Sequence, residues 1–190
     1  MLSRTLCLAT LLATLPLAAC IETRSYLGAD YERDLAQPPP RAAQPAPVRV
    51  VAEFRVNEQP SDGPTQVLAN EVKRVLDDTG VFQPAESADL VLRVSVDDRA
   101  DIAEARSSGF KSGLMMGHSE GTAEDRYEIA ITLEGPNGVV SGAHYHPVLT
   151  TTARRDVPAS FGPSHDTRDA FNIILRNSVQ RFLNGLPPPR

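Results

Sequence analysis

The chain is 190 residues long and carries 19 Lys and Arg against 24 Asp and Glu, a formal charge of −5. That mild acidity argues against a nucleic-acid partner and against a general affinity for anionic headgroups. With no Trp, 6 Phe and 4 Tyr there is no obvious platform for stacking bases or sugars, and a core has to come mostly from Val, Leu and Ile.

Residues 1–19 read as an export signal. A positive start at Arg4 precedes an apolar stretch from Leu6 to Leu17, and small residues follow. Thr10, Thr14 and Pro16 interrupt the stretch, which falls short of the roughly 20 apolar residues that span a bilayer. The segment closes on Leu17-Ala18-Ala19-Cys20. This ending resembles the lipobox of bacterial lipoproteins, whose cysteine is lipidated and becomes the first residue of the mature protein. The resemblance implies acyl chains such as palmitate on Cys20. Ile21, in place of the aspartate that favours inner-membrane retention in enterobacterial lipoproteins, points to the periplasmic face of the outer membrane. The competing reading is an ordinary signal cut after Ala19, leaving Cys20 as a free thiol, a liability in an oxidising compartment. Cys7 leaves with the signal and Cys20 carries lipid, so no cysteine remains for a disulfide or a thiolate metal site.

Residues 20–47 hold the lipidated cysteine and a proline-rich linker, with Pro38-Pro39-Pro40 and Pro45-Ala46-Pro47. Such composition favours extended, semi-rigid chain at ~3.1 Å per residue, and predicts a stalk that lifts a folded domain off the membrane. Two alternatives are a proline-rich ligand for a partner, and packing of Tyr26 and Tyr31 on the domain or a neighbour.

The domain is expected over 48–186, with 187–190 as a tail. Val48, Val50, Ala52, Phe54 and Val56 alternate as a strand with one apolar face. Asp62-Gly63-Pro64 breaks the chain. Val67, Leu68, Val72, Val75 and Leu76 then recur at helical spacing, predicting a helix from about Pro64 to Thr79 with Gly80 as its C-terminal cap. Leu90, Leu92, Val94 and Val96 give a second strand, and Tyr127, Ile129, Ile131 and Leu133 a third. Pro136-Asn137-Gly138 turns the chain into a fourth, Val139 to Thr152. A last helix spans about Thr167 to Asn184, with Phe171, Ile174, Leu175, Ser178, Val179 and Phe182 as its buried stripe. The order β-α-β-β-β-α predicts an α+β two-layer sandwich, a four-stranded mixed sheet with two helices on one face.

This arrangement, with Asp78-Thr79-Gly80-Val81-Phe82 after the first helix and the strand Ala88-Asp89-Leu90-Val91-Leu92, resembles a group of periplasmic lipoproteins that carry a TolB-amino-terminal-like α+β domain. Among them are the curli secretion lipoprotein, the Pel polysaccharide export lipoprotein and the activator of penicillin-binding proteins. The resemblance implies fold more than activity, and no functional residue of those proteins carries over.

Three places could carry function. The connection Ser107 to His118 is glycine-rich yet holds Phe110, Leu114, Met115 and Met116, apolar side chains that suit membrane or partner contact. The other reading folds this loop back over the sheet, or makes it a short helix of the core. A second long connection, Arg154 to Ser164, joins the sheet to the last helix and is a further candidate surface. His144 and His146, two apart on a strand, would face one side as a metal pair does, but a site needs a third ligand, for which only His118 or His165 offer themselves. Asp97, Asp98, Asp101 and Glu104 read as a solvated face, with Ca²⁺ as the alternative. Ser141, Ser160, His165 and Asp166 sit in no recognisable nucleophile setting, and the glycine loop lacks a phosphate-binding ending. The expectation is a protein that is no enzyme, needs no cofactor, meets the membrane through its acyl anchor, and serves as a structural or accessory component of an envelope assembly or export complex by binding an envelope partner or itself. The alternatives are a carrier of small ligands or lipids, which needs an apolar cavity between sheet and helices, and an enzyme or metalloprotein, which needs His144, His146 and a third ligand to converge.

Overall fold

A computed structural model of the chain describes residues 24–100, 122–152 and 159–186. Eleven segments of regular backbone follow one another: β1 (Arg24–Tyr26), α1 (Ala29–Arg33), β2 (Ala46–Val56), β3 (Gln59–Pro60), α2 (Asp62–Thr79), β4 (Phe82–Pro84), β5 (Leu90–Ala100), β6 (Thr122–Gly135), β7 (Gly138–Tyr145), β8 (Val148–Thr152) and α3 (Thr167–Asn184), with a single 3-10 turn at Ala159–Phe161 before the last. The fold is α+β, as the sequence predicts.

Alternation in β2, β5 and β6 builds the apolar face. β2 and β5 run parallel, with Val50 beside Leu92 and Phe54 beside Val96. β6 runs antiparallel to β5 and sets Leu133, Ile131 and Ile129 beside Leu92, Val94 and Val96. Helix α2 buries Leu68, Val72, Val75 and Leu76 on this face, and α3 adds Ile174, Leu175, Val179 and Phe182. Fully burying such a side chain stabilises by roughly 1.5–3 kcal/mol. Gly80 ends α2 in the left-handed region, φ 63°, and its N–H returns to the Leu76 carbonyl. A Cβ there would stand 2.6 Å from Arg41 Nε, so glycine meets both the backbone and the close approach.

The sheet is larger than the four strands expected. Among the described residues it has eight, in the order β1-β8-β6-β5-β2-β3, with β4 on β2 and β7 on β6. Two causes account for the difference. β1, β3 and β4 have three residues or fewer, too short for alternation to show. The expected fourth strand, Val139 to Thr152, divides at His146-Pro147, because proline has no N–H to give the ladder; its carbonyl instead accepts from Tyr127 N–H at 3.0 Å. β7 then pairs with the second half of β6 and β8 with the first. Among the described residues the helices number three, not two, α1 being a single short turn of chain.

Residues 24–42, read from composition as part of a stalk, are a strap bound to the domain. β1 pairs with β8, and Ser25, fully buried, exchanges backbone hydrogen bonds with His165 at 3.0 and 2.8 Å. The Ser25 hydroxyl lies 2.9 Å from Thr151 Oγ1 and 2.8 Å from Thr167 Oγ1. Tyr26 stacks edge-on against Phe161, ring centres 5.5 Å apart. Beyond α1 the extended proline-rich chain has no strand to pair with, so side chains of α3 satisfy its backbone. Asn177 Oδ1 accepts from Ala36 N–H at 2.7 Å, Arg181 donates to the Asp34 carbonyl at 2.5 Å, and Asn184 donates to the Gln37 carbonyl at 2.9 Å. Ala42 N–H finally reaches the Gly80 carbonyl, 3.1 Å away. The packing of Tyr26 and Tyr31 on the domain was the alternative reading of this segment.

Candidate functional site

Where the strap crosses α3 beside the β7–β8 junction, a groove of about 490 Å³ opens. Tyr31 and Asp34 line it from the strap, His144, Tyr145, His146 and Pro147 from the junction, and Asn177, Ser178 and Arg181 from α3. The spacing of Asn177, Ser178 and Arg181 puts them on adjoining parts of the helix surface. Burial pushes the Tyr31 hydroxyl up from its ordinary pKa, against the opposing pull of Asn177, Arg181 and Ser178. Burial likewise raises Tyr145, with Arg181 opposing. Arg181 Nη2 is 3.6 Å from the Asp34 carboxylate, so the cation of the groove already has an anion beside it. What these walls offer is hydroxyl, amide and imidazole groups around two aromatic rings.

His144 and His146 both line this groove, but not as two residues of one strand. β7 ends at Tyr145 and His146 falls in the junction, and both histidines are exposed. Among the described residues no group of three or more His, Cys, Asp or Glu side chains gathers as a metal site requires. His165 is elsewhere: its Nε2 lies 2.5 Å from Glu32 Oε1, joining α1 to the start of α3. Asp166 caps α3 by accepting from Arg168 N–H at 2.9 Å, which gives it a structural task.

The acidic run begins inside β5, where Asp97 and Asp98 separate by side-chain direction. Asp97, 7% exposed, accepts from Glu58 N–H at 2.9 Å and lies 3.0 Å from Arg99 Nε on the open face of the sheet. Asp98 points to the helix side, near Asp125 and Tyr127. Burial first, then the charges of Asp125 and Asp97, push its carboxyl up to about 6. Burial also raises Asp125. Asp101 and Glu104 lie outside the described residues, as do Cys20, Phe110, Leu114, Met115, Met116, His118 and residues 153–158 of the second candidate connection. No described helix is long and apolar enough to cross a membrane.

Asp34, Asn177 and Arg181 were not singled out in the sequence, and Tyr31 entered only as a side chain that could pack on the domain. A signal existed for Asn177, a polar residue inside the apolar periodicity of the last helix, 3% exposed in the fold. Nothing local marks Asp34 or Arg181, which meet only because the strap lies against α3.

No family model matches the chain, and no curated protein matches it. Among solved structures it is similar to a DUF330 protein from Xanthomonas campestris, at 17% identity and a TM-score of 0.39, over 76% of this chain and 87% of that one. It is also similar to a minor lipoprotein from Acinetobacter baumannii, at 13% and 0.36, over 73% and 88%. A third is the PelC dodecamer from Paraburkholderia phytofirmans, at 12% and 0.37, over 87% and 96%. Likeness at this level says nothing of what this chain binds.

Proposed function

We propose that the protein is a lipoprotein anchored through Cys20 at the periplasmic face of the outer membrane, a non-enzymatic structural or accessory component of an envelope assembly or export complex. The observation that carries this reading is Leu17-Ala18-Ala19-Cys20 at the end of an export signal, with β1 beginning at Arg24. Only residues 21–23 separate the lipidated position from the sheet. At no more than ~3.6 Å per residue, that tether reaches roughly 14 Å. With the strap held in the fold, the domain sits against the bilayer rather than above it on a stalk.

The end of the sheet nearest the anchor is defined by register. Arg24 is beside Thr152, and Thr152 beside Thr122. β6 therefore starts, and β8 ends, at the row where β1 begins. The connection bearing Phe110, Leu114, Met115 and Met116 returns to the domain at this row, which supports their role in contact with lipid or a membrane-bound partner. The polar groups of the groove that bond to one another and to the strap support a structural task over a catalytic one. The carrier alternative draws no support from the described core, whose large apolar side chains are closed to solvent, nor from a groove lined by no Val, Leu or Phe.

Metabolic labelling with palmitate tests the anchor. The full chain should take up label and fractionate with outer membranes, and Cys20→Ala should lose the label and appear in the soluble periplasmic fraction. A Cys20→Ala protein still held in the membrane would sink the reading. Photocrosslinking from Phe110 and Met115 in cells should capture lipid or an envelope protein.

A further inference from the structure

From Gly135 to Ala153 the sequence holds no Asp, Glu, Lys or Arg, although 23% of the chain is charged. This stretch is β7, β8 and the junction between them. β8 is covered on its outer side by β1, but β7, among the described residues, pairs with β6 alone. An edge strand carries a row of free N–H and C=O groups, and proteins normally protect it with charge, proline, or a very short strand. β7 has eight residues, none of them Pro, Asp, Glu, Lys or Arg, with Val139 70% and Val140 52% exposed. A bulge opposite Leu133/Glu134 disturbs the hairpin end only, leaving Ser141 to Tyr145 in regular register with β6.

We infer that the β7 edge is the contact between two copies of this chain, paired antiparallel about a two-fold axis near Gly142. This names the surface for self-association within the function proposed above and rests on that reading for its setting at the membrane. Three features favour a second copy over a foreign strand. An antiparallel edge is complementary to itself under a two-fold axis, so the donors of one copy meet the acceptors of the other. The lack of charge means that no like-charged side chains are set opposite each other when the strand meets itself. The small residues Ser141, Gly142 and Ala143 fall at the centre, where the backbones approach, while Val139 and Val140 of one copy run toward His144 and Tyr145 of the other and combine β-branched with aromatic side chains. The groove lies at that end of the strand, where the Pro136-Asn137 turn of the second copy arrives.

The test uses the full lipidated chain in detergent. Sedimentation should give a dimer, and Val140→Lys should halve the apparent mass while circular dichroism and Tm stay those of the parent; Val67→Lys, on the exposed face of α2, should remain dimeric. In cells, Gly142→Cys should form a covalent dimer under mild oxidation and Val67→Cys should not. A Cβ at Gly142 meets only ordinary contacts, at 3.8 and 3.9 Å, so this variant folds where a lysine in the edge could fail. A monomeric parent, a dimer indifferent to Val140→Lys, or no crosslink at Gly142 would each overturn the inference. Loss of palmitate labelling would remove the anchor and leave the edge contact standing, so the two readings fail separately.

Discussion

Asp98 occupies a place where the alternation of β5 would put another valine. It continues the row Leu92, Val94, Val96 on the helix side, and its Oδ1 is buried with no hydrogen-bond partner among the described residues. The carboxyl is held up to about 6 from the ordinary 3.8, so the folded chain keeps its proton more tightly than the unfolded one. Its contribution therefore costs nothing below about pH 4, grows as pH rises from about 4 to 6, and stays constant above. After discount for solvent at a half-buried site the cost is on the order of 1 kcal/mol. Asp98→Asn should raise Tm at pH 7.5, and the difference between parent and variant should vanish at pH 3.5; equal Tm values at both would refute this account. Asn177 is the opposite case, a buried polar residue that is satisfied. Asn177→Ala leaves Ala36 N–H without its acceptor, and should destabilise by about 1–3 kcal/mol in urea unfolding.

The element that departs furthest from expectation is the strap. A proline-rich segment reads as solvated because it forms no internal hydrogen bonds, and here those bonds are made to another element. Asn177 and Ser178 of α3 are buried for the same reason: they line the groove where the helix meets the strap. Removing residues 24–42 from the lipidated chain should expose these groups, lower the urea midpoint, and increase protease cleavage near α3; unchanged protection would show that the strap is not part of the folded unit. At the other end of the strap Gly80→Ala meets two costs. A left-handed residue with a side chain costs roughly 1–2 kcal/mol, and Arg41 has to move from contact. The expected result is a lower Tm, read most directly by scanning calorimetry.

At the scale of the whole molecule the parts form one argument about place. The strap brings the chain from residue 24 onto the domain, the register of β1, β8 and β6 gathers strand ends at one row, which the proposed anchor would set toward the membrane, and among the described residues β7 pairs with β6 alone. The open face of the sheet, by contrast, carries compensated charge: Arg93 with Glu134 at 3.0 Å, and Arg99 with Glu58, Asp97 and Glu128 at 2.7, 3.0 and 3.2 Å. These pairs suit a solvated surface. Much of this was legible in the sequence. The strands β2, β5 and β6 and the helices α2 and α3 are long enough for periods of two and 3.6 residues to stand out, while the export signal and Cys20, local patterns too, lie outside the described residues. The closed apolar core follows from the same periods. Tertiary structure decided what pairing over distance decides: that three short strands join the sheet, that Pro147 divides β7 from β8, that a proline-rich segment binds α3, and that His144 and His146 meet Tyr31 and Arg181. The strap's place depends on contacts between residues more than a hundred positions apart, such as Ala36 with Asn177, which no local window of sequence contains; the short strands β3 and β4 join because the long strand β2 is there to pair with, and Pro147 meets Tyr127 only across the sheet.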